Sequence, residues 1–302
     1  MTRTTRLMGA LAMALSFATA LPAHAGWKSV AVGVGVAKSA DVLVEAGKAA
    51  MQARQAAQAQ QGQTVDRSQG CERQLPHGRA PAFANPAWNT GLTTLCFQEF
   101  AVAVSNKTRT ALWSAEWLTR ERLEAARQLP RVNSFHVETA LPPDAQASLE
   151  DYKPTSSTLD RGHLSPNFDM STPSSQHESF SLANIVPQEA YNNRYTWASI
   201  ESGTRQHVYK NGPMNVITGP LYLDNPTPFL RVNRVAVPSH LWKLVYDPNA
   251  RVGGVYMVKN EAKPEVLWHT VADFERLSGY RFNLGVVGAM PMPRLVSRSQ
   301  QD

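Results

Sequence analysis

Asp160, Arg161, Gly162 and His163 stand together in the chain, and Asn193, Trp197, Glu201 and Arg205 follow farther along at a strict four-residue step. An imidazole with an ordinary pKa near ~6.5 can take a proton from water at neutral pH. An amide oxygen and a carboxylate can serve a hard cation and its waters, and two guanidinium groups can neutralise phosphate. Together these groups suffice for metal-assisted cleavage of a phosphate ester. Gly162 removes a side chain beside the imidazole, which would let a ligand or a strained backbone come close. Pro166 then fixes the exit from the segment.

Each of these residues also has a plainer use. Most histidines only make structural hydrogen bonds, and most asparagines cap turns or face solvent. On a helix, Asn193, Trp197 and Glu201 lie on one side of the cylinder, because four residues turn the face by only about 40°. Trp197 would anchor that side in the core, whether its polar neighbours merely line a rim or are held rigid at a cleft. The ligand types favour a hydrated oxygen-bound ion such as Mg²⁺ over zinc. His136, His177, His207, His240 and His269 sit singly, and there is no His-Glu-x-x-His. Gly33 and Gly35 lack the third glycine of a dinucleotide loop, and no Gly-x-Ser-x-Gly elbow occurs.

The elements that would position the set fall into runs of strands. Phe97–Val104 and Thr108–Ser114 read as paired strands. Asn215–Thr218, Val232–Val237, Leu241–Tyr246 and Val252–Val258 read as further strands, rich in β-branched and aromatic residues and punctuated by Gly219-Pro220, Pro238 and Asp247-Pro248. Helices are predicted over Thr119–Leu129, with Leu123 and Ala126 inward, and over residues 189–201. A third is predicted over Val271–Ser278, capped by Thr270, stopped by Gly279 and facing inward with Val271, Phe274 and Leu277. Residues 130–159, rich in Pro, Ser and Asp, read mostly as loop. Strands in runs rather than alternation with long helices make the class α+β with a largely antiparallel sheet.

The ends differ from this body. Arg3 and Arg6, the uncharged apolar run Leu7–Leu21 and the small-x-small triplet Ala23–Ala25 read as a signal peptide over residues 1–25. That run is shorter than the ~20 apolar residues needed to span a membrane, so the chain is expected to be exported, periplasmic or secreted, without stable membrane association. Residues 26–70, ending in an Ala/Gln-rich run, read as a frayed or disordered lead-in, and residues 294–302 as a polar tail. The net charge of +6 loses two with Arg3 and Arg6, a mild basic excess that suits an anionic partner. Cys71 and Cys96, the only two cysteines, are expected to form a disulfide worth roughly 3 kcal/mol in an exported chain.

The segments Asp160–Pro166 and Ser181–Gln188, together with Asn193, Trp197 and Glu201, resemble the DNA/RNA non-specific endonuclease family of the ββα-metal superfamily. Val216–Tyr222 and Val235–Lys243 resemble its strands, and the resemblance covers roughly Cys71–Pro291, within an endonuclease domain placed at residues 71–293. It implies a ββα-metal fold with helices flanking a central antiparallel sheet, and DNA and RNA as substrates. It implies His163 as general base, Asn193 as the direct ligand of Mg²⁺ (with Mn²⁺ as a substitute), and Glu201 holding water on the metal. Arg161 and Arg205 would bind phosphate, Asn184 and Gln188 would support the site, and Asp160 would orient a neighbour rather than react. Arg131 is the nearest match to an upstream family arginine. The products implied are 5′-phosphate and 3′-hydroxyl ends. Two rivals are a nucleic-acid-binding protein on the same fold without catalysis, and a phosphodiesterase for small substrates.

Overall fold

The structure, a computed structural model, describes residues 69–153, 158–225 and 227–296 and the single positions Lys48 and Met51. The signal segment and almost all of the lead-in lie outside the described residues. The strands are β1 (Ala82–Phe83), β2 (Leu92–Cys96), β3 (Phe100–Ser105), β4 (Thr110–Leu118), β5 (Leu159–His163), β6 (Ile185–Glu189), β7 (Met214–Leu221), β8 (His240–Asp247), β9 (Val252–Lys259), β10 (Leu267–His269), β11 (Tyr280–Arg281) and β12 (Gly288–Ala289). The helices are α1 (Arg120–Ala126), α2 (Leu149–Tyr152), α3 (Pro173–Ser179), α4 (Ala198–Asn211) and α5 (Val271–Ser278).

The main sheet runs β10-β9-β8-β7-β4-β3-β2, every neighbour antiparallel, with β12 added parallel beside β9. This is the expected α+β class with an antiparallel centre. Side chains alternate between faces along a strand, and here both faces are covered. Val216, Val245 and Tyr256 pack on one side with Trp197, Ile200 and Val208 from the helical layer. Ile217, Leu244 and Val255 pack on the other with Trp242, Phe274, Tyr280 and Phe282. Two-sided burial is why these central strands read as continuous apolar runs although the sheet is antiparallel. Cys71 and Cys96 are joined, tying the first described turn to the end of β2.

Local signals hold at several ends. Thr119 caps α1 by accepting from the Arg122 amide at 3.2 Å, and Leu123 and Ala126 are buried. Thr270 caps α5 by accepting from the Asp273 amide at 3.1 Å, and Gly279 ends it at φ +78°, a left-handed conformation that costs glycine little. Leu277 departs from expectation: it is 47 % exposed, and only Val271 and Phe274 of its helix are buried. Val232–Val237 is not a strand. It is a turn and loop with Arg234 at φ +56° and a single bridge between Phe229 and Ala236. Val235 and Ala236 are nevertheless fully buried, Val235 in a small cluster with Tyr152, Leu182, Ile185 and Leu230. The run's apolar character therefore reports burial rather than strand pairing. In the segment expected to be a polar tail, Leu295 packs on the core and Val296 is buried, its amide donating to the Ser199 carbonyl at 3.3 Å.

Candidate active site

Besides the small β1–β11 pair, a separate two-stranded sheet lies on the helical face. Strands β5 and β6 pair antiparallel, with Asp160 opposite Gln188, Arg161 opposite Pro187 and His163 opposite Ile185. Glu189 still belongs to β6. The helix expected over 189–201 opens instead at Ala190, passes through a π-helical turn, Asn192–Trp197, and continues as α4 well past Glu201. Strand, strand and helix thus make one ββα unit. Trp197 is 1 % exposed and packs beside Ile200 and Val208, which fixes the helix against the sheet. The buried Lys243 of β8 donates to Thr218 Oγ1 at 2.6 Å and stands 5.5 Å from the Trp197 ring centroid.

This unit walls an open cavity of about 810 Å³ onto which Asp160, Arg161, His163, Asn193, Glu201 and Arg205 all face. Arg131 lines it as well. Asn184 and Gln188 stand behind the wall. Asn184 clamps the chain just after His163: its Oδ1 accepts from the Ser165 amide at 3.0 Å, while Nδ2 donates to the carbonyls of Ser165 at 2.8 Å and Ser179 at 3.0 Å. Gln188 explains Gly162. A Cβ at position 162 would lie 2.2 Å from Gln188 Oε1 and 2.7 Å from Gln188 Cβ. The missing side chain therefore makes room for a neighbouring strand's glutamine, not for a ligand or a strained backbone.

His163 is 9 % exposed, set between the Phe135 ring at 5.3 Å and the edge-on Phe180 ring at 4.9 Å. Burial, reinforced by the Arg131 and Arg161 charges, pulls its pKa down to about 3. The imidazole is consequently neutral at pH 7, with a lone pair free to take a proton. Arg161 lies over the Phe135 ring at 4.1 Å with its charge exposed at the cavity rim. Arg205 is held from below, donating to Asp169 Oδ1 at 2.9 Å and Ser202 Oγ at 3.0 Å. Arg131 donates to Asn133 Oδ1 at 2.9 Å and to Asn167 Oδ1. Burial raises the pKa of Glu201, opposed by Arg205 and Lys243, then raised by Asp169 and lowered by Arg131.

Asn193 and Asn192 part company. Asn192 is fully buried, its Nδ2 donating to the Lys259 carbonyl at 2.9 Å. Asn193 faces the cavity and donates through Nδ2 to Asp160 Oδ2 at 2.9 Å. A carboxylate can only accept, so the amide's nitrogen end is fixed on Asp160 and Oδ1 is left as the acceptor. Asp160 is itself gripped by Arg194, at 2.8 Å from Nε and 2.6 Å from Nη2. Among the described residues no group of three or more His, Cys, Asp or Glu side chains could hold a metal ion. The donor set at the cavity is amide and carboxylate oxygen, which fits a hard, largely hydrated divalent cation. Arg194, Asp169 and Lys243 were not marked by sequence reasoning. Arg194 carried the one usable signal, its place next to Asn193.

A central antiparallel sheet with a ββα unit bearing an asparagine, a histidine and phosphate-sized basic groups defines a ββα-metal nuclease fold. The family model for DNA/RNA non-specific endonucleases matches residues 79–288, and the chain belongs to that family. Nuclease C1 of Cunninghamella echinulata var. echinulata is 29 % identical over 179 residues, covering 55 % of this chain and 70 % of the relative. The mitochondrial nuclease of Saccharomyces cerevisiae is 34 % identical over 163 residues, covering 49 % of this chain and only 48 % of the relative. A crystal structure of EndoG in complex with EndoGI shares the fold, with a TM-score of 0.57 at 21 % identity over 65 % of this chain and 89 % of that one.

Proposed function

We propose that the chain is an exported, Mg²⁺-dependent endonuclease that hydrolyses DNA and RNA with little sequence preference and leaves 5′-phosphate and 3′-hydroxyl ends. The observation that carries this reading is the orientation of Asn193, with Nδ2 committed to Asp160 and Oδ1 left for a cation on a cavity shared with a neutral histidine. Asn193 through Oδ1, with Glu201 beside its waters, would hold Mg²⁺ or, as a substitute, Mn²⁺. Such an ion, when bound, stabilises charge developing on the phosphate and the leaving oxygen.

The chain's own groups supply the rest. His163 takes the proton from the water that attacks phosphorus. Its depressed proton affinity rises as the anionic phosphate enters, because a nearby negative charge favours the protonated ring. Arg161 and Arg205 neutralise phosphate oxygens, and Asn184 keeps the imidazole from drifting by clamping Ser165. Contacts to phosphate carry no base information, which accounts for low specificity. The Cys71–Cys96 bridge supports an oxidising compartment, and with the leader pattern of residues 1–25 it supports export.

Digestion of supercoiled plasmid by the mature chain, with Mg²⁺ and with EDTA, beside His163→Ala and Asn193→Ala, tests the reading. Degradation lost with EDTA and in both variants supports it. An intact plasmid from folded wild-type protein overturns it, and cleavage that survives both substitutions moves the site elsewhere.

A further inference from the structure

Tyr191, just before the π-helical turn, and Tyr195, on it, flank the cavity-facing Asn193, and both rings are out in solvent. They are 38 % and 51 % exposed, with centroids 4.7 Å apart and planes inclined by 36°. The turn points its residues three ways. Asn192 goes into the core, Asn193 and Arg194 go to the cavity, and the two tyrosines face outward. The rings are therefore not needed to anchor the turn, which Asn192 and Trp197 already do. Lys263, from the loop after β9, brings its ammonium to 5.6 Å from the Tyr191 centroid. Asp160 is engaged by Asn193 and Arg194, and Glu189 by the Asn192 amide at 2.7 Å.

An exposed aromatic pair with a cation over it, continuous with a polar cavity, is the chemistry that holds single-stranded nucleic acid. Every base has a face that stacks on tyrosine, and an ammonium pairs with the phosphate alongside. We propose that Tyr191, Tyr195 and Lys263 form a stacking platform for unpaired nucleobases of the substrate strand as it leaves the cavity, and that this platform favours single-stranded stretches over duplex. In a duplex the base faces are already stacked on one another and cannot reach the rings. This inference rests on the nuclease reading above and adds the form of substrate that the same site prefers.

A single-stranded oligonucleotide carrying 2-aminopurine, whose fluorescence falls on stacking, is titrated with the protein in EDTA. The same proteins are then assayed in Mg²⁺ for kcat/KM on single-stranded and on duplex DNA. The variants are Tyr191→Leu/Tyr195→Leu, which keeps apolar bulk, and Tyr191→Phe/Tyr195→Phe, which keeps the rings. Wild type and the phenylalanine variant are expected to quench the probe. The leucine variant is expected to lose the quench, with a single- to double-strand kcat/KM ratio lower by about fivefold to a hundredfold, the range for one stacked base. An unchanged quench and ratio in the leucine variant overturns the platform and leaves the pair as a helix-surface contact. A wild type that cleaves plasmid in Mg²⁺ without quenching the probe also overturns it, while sparing the nuclease. A wild type that does neither overturns both.

Discussion

Removing Asp160 separates the orienting of Asn193 from every other contribution to the site. In Asp160→Ala the Asn193 amide loses the acceptor at 2.9 Å that fixes its nitrogen end. It can then turn Nδ2 rather than Oδ1 toward a cation. A hydrogen bond to a charged group contributes about 1.5–3 kcal/mol, so half-saturating Mg²⁺ should rise by roughly ten- to a hundredfold, as for other groups that orient a ligand. The maximal rate at saturating Mg²⁺ should change far less, since His163, Arg161 and Arg205 stay in place. The assay is plasmid nicking as a function of Mg²⁺. Arg194→Ala is the control: its side chain is 54 % exposed in the ion pair with Asp160, and an exposed pair contributes only about 0–1 kcal/mol. An unchanged Mg²⁺ dependence in folded Asp160→Ala would refute the orientation argument. So would an equal shift in Arg194→Ala, which would assign the effect to the ion pair.

Three further outcomes are expected. Gly162→Ala should push Gln188 or the His163 strand aside, lowering stability in urea by about 1–3 kcal/mol, the usual cost of overpacking. Gln188→Gly should recover most of that loss in a double-mutant cycle, and a harmless Gly162→Ala would contradict the contact. For His163, folding lowers the pKa from its ordinary 6.5 to about 3, so the unfolded chain binds more protons between those values. The stability attached to keeping the ring neutral is therefore whole above pH 6.5 and is lost as pH falls toward 3. Urea midpoints of His163→Asn should fall less than wild type across that window, and kcat/KM of the wild type should show no break near pH 6.5. Reducing the Cys71–Cys96 bridge, or replacing both residues by Ser, should cost roughly 3 kcal/mol in urea while leaving plasmid cleavage by the folded fraction intact.

Strong local chemistry was legible in the sequence. The caps Thr119 and Thr270 and the stop at Gly279 announce α1 and α5, and the apolar runs around Val216, Leu244 and Val255 mark the central strands. The spacing of Asn193, Trp197, Glu201 and Arg205 survives the π-helical turn, because four residues return to nearly the same side in either helix. Requirements set by distant partners were not legible. Nothing near Gly162 shows that Gln188 occupies its missing Cβ, and nothing near Val235 shows that burial comes without pairing. The helix was expected to stop at Glu201, before Ser202 and Gly203, yet α4 runs on to Asn211. Arg194 and Asp169 hold Asp160 and Arg205 through contacts between elements far apart in the chain, which no local pattern records.

Gly203 lies in that continuation. A Cβ there would lie 2.3 Å from the Arg294 carbonyl oxygen, so the segment Arg294–Val296 crosses directly on the helix that carries Glu201 and Arg205. The neighbour in the way is backbone, not the far end of a flexible side chain, so a methyl at position 203 could be accommodated only by moving that segment or the helix itself. A change made on the far side of the helix from the cavity would thus be transmitted to Glu201 and Arg205 as a shift of the element that carries them.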